Sequence, residues 1–133
     1  MSERRDKIRR IKRLQADLHR LAEWRLAKLA QQERSLAEQQ EAMLVSLNDE
    51  DALHGMFVGA MARRLKSLSG ESEVVRAMHD AQSERVLTEA KRLKRVDQMA
   101  GRVEDEHRRD AEKRELAQIV DALLARRGDA SLP

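Results

Sequence analysis

The sequence predicts an all-α fold, an elongated antiparallel coiled-coil helical hairpin, with or without a short middle helix at the bend. Three observations predict it. Strong helix formers run from Glu3 to Leu47 with neither Gly nor Pro. Apolar residues recur at alternating three- and four-residue steps in two long segments, the spacing of a coiled-coil seam. Polar runs at Asn48-Asp49-Glu50-Asp51 and Ser69-Gly70-Glu71-Ser72 separate those segments and offer capping residues.

Composition points the same way. Of 133 residues, 41% are hydrophobic and 38% charged, but only 2% are aromatic. Such a chain can line a thin seam but cannot fill a thick core. One proline, Pro133, and five glycines leave too few turns for a sandwich, a barrel or an α/β sheet. With no cysteine, a disulfide scaffold and thiolate chemistry are excluded. Lys and Arg number 27 against 24 Asp and Glu, a net charge of +3, which describes a polyampholyte more than a nucleic-acid binder. No apolar h-region follows the basic start, and the most apolar run, 52–62, falls short of the roughly 20 residues that span a bilayer. The expected compartment is the cytoplasm.

A single coiled-coil domain over 1–133 is expected, with helices over 3–47, 49–69 and 73–127. In the first helix the apolar side reads Ile8, Ile11, Leu18, Ala22, Leu26, Leu29, Leu36, Met43 and Leu47, with Gln15, Glu33 and Gln40 in the gaps. Two successive four-residue steps, from Leu18 through Ala22 to Leu26, imply one local break in the heptad count. A helix this long needs a partner face in water.

Asn48 followed by Asp51 resembles a helix start, opening a middle helix that carries Leu53, Met56, Phe57, Ala60, Met61, Leu65 and Leu68. Gly55 and Gly59 on one side would allow a close backbone approach. Gly70 suits a helix end, with Ser69 or Ser72 capping the next helix. In the last helix Val75, Met78, Val86, Leu93, Val96, Ala100, Val103, Leu116, Val120 and Leu124 mark the apolar side. Gly101 should cost about 1 kcal/mol relative to Ala. The segment 104–115 is nearly devoid of apolar residues and reads as exposed helix, and 128–133 should fray. Folding back buries both stripes, so the chain should reverse between Asn48 and Gly70. Seam residues are expected at Leu18, Leu26, Leu29, Leu36, Met43, Val96, Val103 and Val120.

No motif for catalysis or cofactor binding emerges, and no cofactor or small-molecule substrate is expected. The histidines, His19, His54, His79 and His107, are not paired at ligand spacing. His107 with Glu106 and Asp110, and His19 with Glu23, are metal fragments at best. Their plainer reading is exposed residues on charged helices. A two-helix rod also lacks the volume of a usual enclosed pocket.

Arg4, Arg5, Lys7, Arg9, Arg10, Lys12 and Arg13 form a dense basic patch around Ile8 and Ile11. Docking onto an acidic protein surface, phosphate contact, adsorption to an anionic membrane and a merely solvated helix start all remain open. The scarcity of aromatics disfavours base stacking. Trp24 lies off the best register, either as a partner anchor or as cover for the seam edge. Met56 and Phe57, with Val58 and Met61, form an apolar patch that could hold the middle helix or receive a partner.

The pattern as a whole resembles the FliJ and YscO stalk proteins of bacterial flagellar and type III export machines. The resemblance rests on the basic amphipathic start Ile8-Arg9-Arg10-Ile11-Lys12-Arg13-Leu14, the long first helix, the irregular stretch at Asn48-Asp49-Glu50-Asp51 and the longer charged helix after it. It covers nearly the whole chain, at the level of architecture and composition. The apolar middle helix and the second break at Ser69-Gly70 depart from the usual pattern. The resemblance implies a stalk like the coiled coil of a rotary ATPase gamma subunit. Its partners would be a hexameric export ATPase, an export gate protein and export chaperones, at the cytoplasmic face of a membrane apparatus. Both arm ends would enter the ATPase, placing the basic patch and Leu116, Ile119, Val120, Leu123 and Leu124 there. The alternatives are a nucleic-acid-associated architectural helical protein and a plain coiled-coil scaffold or regulator.

Overall fold

The computed structural model describes residues 2–48 and 55–130, and two helices account for all of them. Helix α1 spans Ser2–Asn48 and helix α2 spans Gly55–Ala130. The helices pack antiparallel, so the chain reverses between them as the two stripes require. The contacts divide into two compact units. One comprises 1–16 with 92–133, the other 17–91.

In the 17–91 unit, α1 turns inward His19, Ala22, Leu26, Leu29, Glu33, Leu36, Gln40, Met43 and Leu47. Facing them, α2 turns inward Met61, Leu65, Leu68, Ser72, Val75, His79, Gln82, Val86 and Glu89. Both series alternate three- and four-residue steps without interruption, the heptad of a left-handed coiled coil. Leu68 is the most deeply buried large side chain at 1% exposed, followed by Ala22 and Leu36. Leu26, Leu29 and Met43 are half-buried. The Gln82 side-chain amide donates to the Ala22 carbonyl at 3.0 Å, and Arg76 reaches Glu33 at 3.9 Å, which ties the register across the helices.

The heptad break expected at Leu18 is absent. Leu18 is 42% exposed, and its neighbour His19 takes the seam position with its Nε2 3.0 Å from Glu23. Met78 is likewise displaced by His79. The cause is cooperative. One register must serve every turn of a helix, so the buried set is chosen by the whole stripe facing the partner. An apolar residue one position off that stripe stays outside.

The separate middle helix is also absent, because α2 runs unbroken through Ser69-Gly70-Glu71-Ser72. A mid-helix Gly costs about 1 kcal/mol relative to Ala. Burying one leucine is worth roughly 1.5–3 kcal/mol, and Leu65, Leu68 and Val75 hold the seam on both sides of Gly70. Nor does Gly59 serve a close approach, since a Cβ built there meets nothing within 4 Å. Asn48, read as a helix start, is instead the last residue of α1, while Asp51 and Leu53 lie outside the described residues. At the far end Gly128 is still helical, and 131–133 lie outside them.

In the unit of 1–16 and 92–133, α1 contributes Arg5, Ile8 and Gln15 to the seam, with Lys12 at its edge. Helix α2 contributes Leu93, Val96, Ala100, Val103, His107 and Asp110. Val103 is buried and Val96 half-buried. Every residue of 111–128 is exposed, so the seam residue expected at Val120 is not buried against α1 among the described residues. Arg4 lies level with Glu106, so 111–128 continue past the first described turn of α1.

Candidate docking end

The unit that joins the start of α1 to the end of α2 holds most of the candidate docking residues. Its basic patch is divided in two by the fold. Four of the seven cations face acids on α2. Arg5 Nε donates to Glu104 Oε1 at 2.7 Å, and Arg9 donates to the same oxygen at 3.0 Å. Arg4 reaches Glu106 at 3.3 Å, and Lys12 reaches Asp97 at 2.7 Å. The Arg5 hydrogen bond is the main cause that holds the Glu104 carboxyl below its ordinary pKa; desolvation opposes it, and the nearby charges of Arg5 and Arg9 each add a lesser lowering. Ion pairs this exposed orient the helices more than they stabilise them.

Lys7, Arg10 and Arg13 have no such partner among the described residues. Glu3, Arg4, Lys7 and Arg10 rim one open surface hollow, and Asp6, Arg9, Arg10 and Arg13 rim another. Ile8 is half-buried in the seam, while Ile11 is 43% exposed beside these cations. The acids that neutralise half the patch were not assigned from sequence, because they lie some hundred residues further along. Only the antiparallel register brings them level.

At the other end of this unit, Leu116, Ile119, Val120, Leu123 and Leu124 are all exposed. Residues 111–127 form about 26 Å of helix that is exposed along its whole length. Continuing the seam alternation past Asp110 lands on Arg114, Ala117, Asp121 and Leu124. Of the large apolar residues here only Leu124 falls on that line, and Leu116, Ile119 and Leu123 sit a third of a turn or more around the helix from it. Their pattern is not that of a surface meant for α1.

The remaining candidates belong to the 17–91 unit. Trp24 is 57% exposed, and the Lys28 ammonium lies 5.3 Å from its ring centroid, a cation–π contact on the surface. Phe57 is 59% exposed. Met56 belongs to α2, but its side chain lies outside the described residues. Among the described residues no cluster of three or more His, Asp or Glu side chains comes together to hold a metal, and no helix is long and apolar enough to cross a membrane. Comparison with known proteins finds no matching family model, no matching curated protein and no matching solved structure.

Proposed function

We propose that this chain is a non-enzymatic stalk or coupling protein of a bacterial flagellar or type III export ATPase complex, working at the cytoplasmic face of the membrane apparatus. In this reading it docks by the unit that carries the start of α1 and the end of α2. It promotes ring assembly or coupling, connects to the export gate and escorts export chaperones. The observation that supports it is the exposed apolar stripe Leu116, Ile119 and Leu123, turned away from the seam direction. A helix carrying that stripe gains by laying it in a partner's groove. Lys7, Arg10 and Arg13, in the same unit, would steer an acidic partner to it.

The test is ATP turnover by a purified export ATPase with and without the chain. Wild type should bind and stimulate turnover or ring assembly. The double variant Leu116→Ser with Leu123→Ser should need about tenfold or more protein for half the effect, since losing an apolar anchor costs about 1–4 kcal/mol. The chain alone should hydrolyse nothing. Failure to bind or stimulate any export ATPase refutes the proposal. Tight duplex DNA binding at physiological salt, falling steeply with added salt, would put the architectural reading in its place.

A further inference from the structure

One side of the 17–91 unit carries two adjoining hollows between its helices. The larger, of about 460 Å³, lies over Leu36, Val74 and Val75 beside Gly70. The smaller, of about 260 Å³, lies over Met43 and Leu68. Gln39 lines both, so they form one groove.

The α1 wall of this groove is Gln32, Ser35, Gln39, Ala42 and Ser46. It carries no charge, although positions flanking a coiled-coil seam are commonly Glu or Lys when they face water. On the α2 wall Val74 is 60% exposed, and a Cβ built on Gly70 meets nothing within 4 Å. An uncharged α1 wall and the open space at Gly70, over an apolar floor, suit another helix surface packed directly against them.

The charges on the α2 wall suit a second copy of the chain. Arg64 edges the smaller hollow and Glu71 the larger, seven residues apart on one face of α2. Within the chain their nearest atoms are 3.8 Å apart, a loose pair. A two-fold axis level with Ser67 and Leu68 would lay α2 antiparallel to α2 of a second chain and bring each Arg64 beside the Glu71 of the other, twice per interface. The uncharged α1 walls then meet without repulsion.

We infer that this groove is a self-complementary interface at which two copies of the chain pair, hairpin against hairpin, as a four-helix bundle. An isologous interface needs one patch that complements itself under rotation, and Arg64 and Glu71, placed evenly about the midpoint between Ser67 and Leu68, satisfy that condition. The interface lies in the 17–91 unit and uses none of the residues assigned to docking at the other.

Sedimentation equilibrium of the full chain reads the inference directly, with circular dichroism reporting helix content. Wild type should be a dimer. Arg64→Glu alone and Glu71→Arg alone should each weaken self-association by about tenfold or more with helix content unchanged, because each sets two like-charged pairs across the axis. An equimolar mixture of the two single variants should restore a dimer. The pair within each chain stays broken in that mixture, so only contact between chains explains the rescue. Ser35→Glu, which puts a charge in the α1 wall, should also dissociate the dimer. A wild-type monomer at all concentrations overturns the inference. So do single variants that dimerise like wild type, or a mixture that fails to associate.

Discussion

Arg5 donates its Nε hydrogen to Glu104 Oε1 at 2.7 Å, although 99 positions separate the two residues in the chain. The contact closes the antiparallel register at the end where α1 begins. Arg9 shares the same oxygen at 3.0 Å, so one carboxylate serves two cations. Its pKa lies below the ordinary 4.5 mainly through the Arg5 hydrogen bond.

That lowered pKa sets the sign of a pH effect. The folded state favours the ionised carboxylate, so the contribution to stability is fully present above the unfolded-state value. It is lost as pH falls through the lower folded-state value. Glu104→Gln should therefore lower Tm at neutral pH. The gap to wild type should close on acidification below the ordinary carboxylate range. Thermal melts of both proteins across that range check it. A gap that widens in acid contradicts the assignment.

Seam and surface leucines should separate cleanly on truncation. Leu68→Ala and Leu36→Ala remove buried side chains and should each cost about 2–4 kcal/mol, toward the lower end where the thin seam can relax. Leu18→Ala removes an exposed one and should stay within about 0.5 kcal/mol. Urea titrations give both numbers. Equal losses at Leu18 and Leu36 would move the seam back to Leu18.

Gly70 sits mid-helix with open space where a Cβ would go. Gly70→Ala should thus stabilise the chain by about 0.5–1 kcal/mol, through better helix propensity and a less flexible unfolded state. The same denaturant experiment measures it. A destabilised variant would mean the helix does not pass straight through this position.

The end of α2 should be the least protected part of it. Residues 111–128 have no buried side chain, and a helix of that length is marginal alone in water. Amide hydrogen exchange should run much faster there than at 93–107, where Leu93, Val96 and Val103 pack on α1. Saturating the chain with the partner proposed above should slow exchange over 116–124. Uniform protection along α2 without any partner would show that the stripe is already covered.

The sequence by itself determined that the chain is two long helices folded back on each other. That information is local and redundant: propensity, the near absence of Pro and Gly, and a repeated apolar spacing that no other element satisfies. The candidate docking residues were legible for the same reason, since an amphipathic stripe at 116–124 and a cationic start at 4–13 are visible without a partner. Only the tertiary structure decided which residues form the seam. Leu18 and His19 are both admissible one turn before Ala22, and the choice of His19 follows from packing the whole stripe against α2. It decided too that Gly70 does not end a helix, because contacts on both sides outweigh a local propensity of about 1 kcal/mol. The division of the basic patch into paired and solvent-facing cations was likewise beyond the sequence. Which acid meets which base is set by the register of two helices, and register is a property of their contact.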